Sequence, residues 1–281
     1  MAIITRFWCL LIENQRKIKG KRKMKLREIL RSIFFSRNLT CSVCGRESFS
    51  GDTVCEGCKS VLPYNDSAIC DHCGRRTVYP TEYCDFCKGK QSYLELCRSA
   101  FVYEEPIGQV IRRLKYNGEK YLAEEFAEHL KKCFLKDMRY ADGIVCVPTS
   151  QKRIKERGYN QSFLLAKELA KKIEVPLLEG VIVKTKETKS QVGLTEKQRM
   201  ENLRGSFKVT NKKAVEGKRI LIVDDVLTTG TTVETMARVL NKAGASEIIA
   251  LTVASVCFKR GQKKDEIEYR EPLIPQNLNE M

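Results

Sequence analysis

Residues 219–236 read RILIVDDVLTTGTTVETM and pass from an apolar run through two acids to a hydroxyl-rich turn. Ile220 to Val223 form a short continuous apolar run, the pattern of a strand buried on both faces of a sheet. The strand, taken as Arg219–Val223, meets two adjacent carboxylates, Asp224 and Asp225. Thr228, Thr229, Gly230, Thr231 and Thr232 follow at the start of a helix over 233–243. Backbone N–H groups at a helix N-terminus, the helix dipole and several hydroxyls make an anion nest, and Gly230 lets a phosphate approach the backbone closely. Two carboxylates at a buried strand end are too costly to leave without partners; they would accept hydrogen bonds from a diol or hold a magnesium ion. The plainer alternative is that the acids cap the helix and the threonines are ordinary capping groups. No Walker A sequence competes for the phosphate, because the Gly-Lys pairs at 20, 89 and 217 are followed by Arg, Gln and Arg.

Outward from this stretch, helices alternate with strands. Ile107, Val110, Ile111 and Leu114 mark one amphipathic helix ending at Asn117-Gly118, and Leu122, Phe126 and Leu130 mark a second. Ile144 to Val147 is a short buried strand, residues 160–173 are a helix with Leu165, Leu169 and Ile173 spaced by four, and Ile248 to Ala254 is a further strand. Such alternation predicts a parallel sheet with helices on both faces, where ligands bind at the ends of strands. A second strand-then-loop is VCVPTSQKRIKERGYNQS, residues 145–162, whose Arg153 and Arg157 are cations at hand for a diphosphate. Basic residues at a helix start are just as commonly solvated surface.

Thirteen cysteines point to metal or redox chemistry in a reducing compartment. Cys41, Cys44, Cys55 and Cys58 form C-x2-C-x10-C-x2-C, and Cys70, Cys73, Cys84 and Cys87 repeat that spacing 29 residues on. A C-x2-C turn points both thiolates to one side, and the glycine that follows (Gly45, Gly74) lets the backbone close around them. Four soft ligands suit Zn²⁺ at about 2.3 Å in a closed, structural shell; an iron–sulfur cluster is the alternative. Two structural zinc ions would also explain how about fifty residues with few large apolar side chains fold. The repeat favours sequential sets, 41/44/55/58 and 70/73/84/87, over interleaved ones. Closing the shorter loop is also cheaper, by roughly 1 kcal/mol. His72 reads as an exposed loop residue, and Cys9, Cys97, Cys133, Cys146 and Cys257 as small core residues or free thiols.

The 281 residues accommodate one domain of ordinary size and a small module, and the 42% apolar fraction excludes wholesale disorder. The expected divisions are a basic extension and short helix at 1–40, a double zinc ribbon at 41–90, the α/β domain at 91–258 and a charged tail at 259–281. Of the net charge of +16, about half lies between Arg16 and Arg31, where nine cations are opposed only by Glu28. Such a run reads first as a solvated arm and second as a contact for a polyanion through counterion release. Residues 3–12 are apolar but short and interrupted by Arg6, and no later run reaches membrane-spanning length, so a soluble, cytoplasmic protein is expected. Met24 opens a more ordinary start, with Leu26, Ile29, Leu30 and Ile33 on one helical face, and residues 1–23 read as an extension.

The stretch ILIVDDVLTTGTT resembles the signature with which type I phosphoribosyltransferases bind phosphoribosyl pyrophosphate (PRPP). The paired cysteine turns, residues 145–162, and the segment Gln191-Val192-Gly193-Leu194, Arg199, Asn202 and Gly205-Ser206-Phe207 narrow the resemblance to the ComF family, over about residues 41–255. The resemblance implies that Asp224 and Asp225 hold the ribose hydroxyls, directly or beside Mg²⁺, and that residues 228–232 bind the 5′-phosphate. It implies a diphosphate loop carrying Thr149, Ser150, Arg153 and Arg157, and a mobile flap at 184–207 with Lys189, Gln191 and Arg199 as contacts. The activity it implies is phosphoribosyl transfer with pyrophosphate release, or PRPP binding in a protein that handles DNA or senses PRPP. The family resembles the phosphoribosyl-transfer part of amidophosphoribosyltransferase, yet no glutaminase domain is present to deliver ammonia, so the acceptor stays open. Its association with natural competence implies single-stranded DNA and uptake or recombination proteins as partners.

Overall fold

The structure is a computed structural model that describes residues 40–48, 52–186 and 196–257. The basic run at 16–31, the helix expected from Met24, Lys189, Gln191 and the tail at 259–281 lie outside the described residues. By internal contacts the chain divides into residues 1–41 with 45–55 and residues 42–44 with 56–281, and the description below concerns the larger unit unless stated.

Its centre is a four-stranded parallel sheet of order β1-β6-β5-β2, built from β1 (Leu96–Val102), β2 (Gly143–Cys146), β5 (Arg219–Leu227) and β6 (Glu247–Ser255). Helix α1 (Glu56–Lys59) precedes β1, and α2 (Ile107–Tyr116) and α3 (Leu122–Cys133) follow it. Ile107, Val110, Ile111 and Leu114 are buried along α2, and Leu122, Phe126 and Leu130 along α3, as their spacing requires. Helices α4 (Gln151–Arg157) and α5 (Gln161–Ile173) come after β2, and α7 (Thr231–Lys242) joins β5 to β6. α3 packs on β1 and β6, α5 on β5 and β2. Val233, Met236, Ala237 and Leu240 of α7 share a core with Ile220, Ile222, Ile248 and Ala250. Alternate residues of each strand face opposite sides, so both faces are covered and the strands read as continuous apolar runs.

The sequence pattern does not disclose β1, because Arg98 and Ser99 interrupt it. Both find partners: Ser99 shares a 2.7 Å hydrogen bond with Thr252 of β6, and Arg98 Nε donates to Asp137 at 3.1 Å. The stretch expected as a flap is bracketed by an antiparallel pair, β3 (Ile182–Lys184) with β4 (Phe207–Val209), and contains α6 (Glu196–Leu203). Leu203 and Phe207 are buried in the core beside α7, so the second half of that stretch is anchored to the domain.

Candidate functional site

β2 pairs with β5 only as far as Cys146 opposite Val223, whereas β6 accompanies β5 to Leu227 opposite Ser255. β5 is therefore four residues longer than the apolar run indicates, and Asp224 and Asp225 lie within the strand. Their side of the sheet is one strand narrower, and a cleft of about 130 Å³ opens there. It is lined by Asp224, Asp225, Thr228 and Thr232 from one strand end and Thr149, Arg153 and Arg157 from the next.

The adjacent acids have different partners. Asp225 is buried and its Oδ2 lies 3.2 Å from Lys115 Nζ of α2, while Gln161 Nε2 donates to the same oxygen at 2.9 Å. Asp224 Oδ1 accepts from Ser162 Oγ at 2.7 Å and from the Asp225 backbone N–H at 2.9 Å. Burial, and then the charge of Asp225, push the Asp224 carboxyl up to about 7, against the pull of the Ser162 hydroxyl. Two adjacent carboxylates offering oxygen ligands at a polar cleft fit a hard divalent cation such as Mg²⁺.

The threonine loop turns at Gly230, whose φ of +82° at the N-cap of α7 suits only glycine without strain. Thr229 and Thr231 are buried, and their hydroxyls share a 2.7 Å hydrogen bond. The five loop residues are not all on one wall. Thr228 and Thr232 face the cleft, while Thr229, Gly230 and Thr231 line a separate cavity of about 660 Å³ with Phe86, Tyr93 and Leu94.

On the neighbouring strand end, Ser150 caps α4, its hydroxyl accepting from the Arg153 backbone N–H at 3.3 Å; it is buried and serves the backbone. Arg157 stacks on Tyr116 at 4.6 Å, donates to the Tyr116 hydroxyl at 3.0 Å and reaches Gln161 Oε1 at 3.3 Å. Gln161 thus links the candidate diphosphate arginine to Asp225. Arg199 lies on α6.

The cysteines gather in the sequential sets: the sulfurs of Cys41, Cys44, Cys55 and Cys58 lie within 4.8 Å of one another, as do those of Cys70, Cys73, Cys84 and Cys87. A tetrahedron with metal–sulfur bonds of about 2.3 Å has edges of about 3.8 Å, and Cys73 and Cys84 stand 3.7 Å apart. The donor sets fit zinc. Cys97 is buried in the core, as read for a small apolar residue.

A phosphoribosyl transferase domain is matched by residues 159–273. The chain is 31% identical over 152 residues to competence protein F of Haemophilus influenzae, spanning 52% of this chain and 66% of that protein. It is 30% identical over 218 residues to the DNA utilization protein YhgH of Escherichia coli, spanning 74% of this chain and 86% of that one. It is also 30% identical over 160 residues to competence protein ComFC of Bacillus subtilis, spanning 56% and 62%. The chain belongs to the ComF family. Its α/β domain is a type I phosphoribosyltransferase fold with a cysteine-rich region in front. No helix among the described residues is long and apolar enough to cross a membrane.

In this ComF-family chain, sequence reasoning missed Lys115, Gln161 and Ser162, which hold the acid pair. Lys115 had one signal: it falls four residues after Ile111, on the apolar side of α2. Gln161 and Ser162 open α5 and close the 145–162 stretch, where the arginines alone stand out. Arg75, buried against the threonine loop, was passed over as part of a cysteine knuckle.

Proposed function

We propose that this chain binds Mg²⁺-PRPP in the cleft at the ends of β2 and β5 and transfers the phosphoribosyl group to an acceptor, releasing pyrophosphate. The observation that supports this is the meeting in one cleft of the Asp224-Asp225 pair and Thr228 and Thr232 from β5 with Thr149, Arg153 and Arg157 from β2. The 228–232 loop receives the 5′-phosphate on the side where Thr228 and Thr232 face the cleft, the carboxylates receive the ribose hydroxyls, and Arg153 and Arg157 face the diphosphate. Asp224 and Asp225 would hold Mg²⁺, which would supply charge neutralisation for the leaving diphosphate. The bond from ribose C1 to pyrophosphate oxygen breaks with its electron pair leaving on oxygen. The acceptor's lone pair forms the new bond to C1, and its proton passes to solvent. The chain contributes position and charge and no covalent group. Pyrophosphate release from PRPP, measured with ammonia, nucleobases or single-stranded DNA supplied as acceptor, tests this; no release with any acceptor would remove the transferase reading.

A second reading is favoured by the net charge of +16 and by relatives named for competence and DNA utilization. In it the chain is a PRPP-binding cytoplasmic protein that handles single-stranded DNA with competence or recombination proteins. Removing residues 1–23 should then flatten the dependence of log K for DNA on log salt by about 0.7 per lost single-strand phosphate contact. PRPP binding would stay intact. An unchanged slope counts against the basic run as a DNA contact.

A further inference from the structure

The second cysteine group, Cys70, Cys73, Cys84 and Cys87, is joined to the threonine loop by one side chain, Arg75. The knuckle closes on itself through Gly74 N to Cys70 O at 2.8 Å and Cys70 N to Arg75 O at 2.9 Å. It is pressed onto the start of β1, where Cys97 N donates to His72 O at 2.8 Å and a Cβ on Gly74 would come within 2.3 Å of Cys97 O. From this fixed backbone the Arg75 side chain, on a residue only 2% exposed, runs beneath the loop. Its guanidinium stacks on Phe86 at 4.5 Å, and Nη2 donates to the backbone oxygen of Thr228. That same Nη2 is 3.7 Å from the point where a Cβ would stand on Gly230, the left-handed residue on which the loop turns.

We infer that Arg75 is a positioning residue for the 5′-phosphate loop, so that metal at the second cysteine group and a phosphate ester at residues 228–232 stabilise each other. This rests on the reading of that loop as the phosphate site. The physical reason is the position of one buried cation between two anionic sites. Four thiolates around a divalent metal carry a net charge of about −2, and the loop is the expected seat of a phosphate dianion. Arg75 fixes the Thr228 carbonyl from below, which turns that oxygen away from an incoming anion and leaves the N–H groups of the loop to meet it. Its charge adds to the field at the loop in a site shielded from solvent. The knuckle sets where the guanidinium stands, and coupling between two sites is reciprocal.

The test uses the full, zinc-loaded chain and three ligands, ribose 5-phosphate, Mg²⁺-PRPP and Mg²⁺-pyrophosphate, measured by calorimetry. Arg75→Ala should weaken ribose 5-phosphate and PRPP alike, roughly tenfold, leave pyrophosphate within twofold, and keep both zinc ions. Arg75→Lys, which keeps the charge but not the fork, should fall between. In wild type, saturating ribose 5-phosphate should slow chelator-driven release of one of the two zinc ions and leave the other unchanged, a measurement that holds even if Arg75→Ala fails to fold. Unchanged ribose 5-phosphate affinity in Arg75→Ala overturns the inference. So does zinc release in wild type that ignores the ligand, and so does an equal loss of pyrophosphate affinity, which marks a general structural defect. Wild type that binds none of the ligands removes the proposed function and this inference together.

Discussion

The two cysteine repeats are built alike and used differently. In the first, Cys41 N donates to Arg46 O at 2.7 Å, Gly45 N to Cys41 O at 2.8 Å and Cys55 N to Cys41 Sγ at 3.3 Å. In the second, Cys70 N donates to Arg75 O at 2.9 Å, Gly74 N to Cys70 O at 2.8 Å and Cys84 N to Cys70 Sγ at 3.3 Å. Both knuckles end in Gly-Arg with the glycine left-handed, φ +72° at Gly45 and +67° at Gly74. The surroundings diverge. Among the described residues nothing lies within 4 Å of a Cβ built on Gly45, and Arg46 is exposed; Gly74 abuts β1, and Arg75 is buried under the threonine loop. Metal-ligand spacing therefore specifies the knuckle, while what folds against it specifies its role.

The largest expected effect comes from removing ligands. Cys41→Ser and Cys84→Ser should each lower the zinc content from two per chain to about one, since a metal-bound knuckle owes most of its stability to the metal. Only Cys84→Ser should also lower the melting temperature of the α/β domain and its affinity for PRPP. Equal effects from both variants would mean that the repeats are equivalent after all, and loss of both ions from one variant would mean a merged cluster. Next in size, Gly45→Ala should cost about 1 kcal/mol for its left-handed backbone. Gly74→Ala should cost several times more, because the added carbon meets the backbone oxygen of Cys97. Thermal melts that rank the two equally would break the comparison.

What the sequence discloses follows the range of the forces involved. Cysteine spacing, the apolar run at 220–223, the glycine turn and the apolar stripes of α2, α3 and α5 are local patterns, and the structure keeps each of them. Arg75 meets Thr228 across 153 residues, and Gln161 meets Asp225 across 64. Nothing in the neighbourhood of either residue along the chain encodes such a meeting. β1 stayed hidden for the same reason, since Ser99 is acceptable in a buried strand only because Thr252 stands opposite. A periodic pattern reveals which face of an element is buried but not what it is buried against. The division of the threonine loop between two walls depends on the turn at Gly230 and was equally out of reach.

A second comparison of like residues concerns the adjacent acids Asp224 and Asp225. Asp225→Asn leaves the buried ammonium of Lys115 beside a neutral amide, and should cost about 3 kcal/mol in denaturant unfolding. A loss under about 1 kcal/mol would show that the pair contributes little.

Asp224→Asn should do the reverse, by less. Burial and the charge of Asp225 raise the Asp224 carboxyl to about 7 from an ordinary 3.8, so between those values the folded chain holds a proton that the unfolded chain has released. The stabilising contribution of Asp224 is then full below pH 4 and is lost as pH rises through 7. An asparagine has no such dependence. The variant should melt near wild type at pH 4 and about 2–4 °C above it at pH 8. Ligand binding should run the other way: Mg²⁺-PRPP affinity of wild type should rise as Asp224 ionises between pH 6 and 8, while the variant stays weak and flat. A wild-type affinity that is level across that range, in a variant series where Asp224→Asn still lowers it, would mean that bound cation already holds the carboxylate ionised at pH 6. A level profile with Asp224→Asn binding as tightly as wild type would remove Asp224 from the site and leave Asp225, Lys115 and Gln161 as a purely structural cluster.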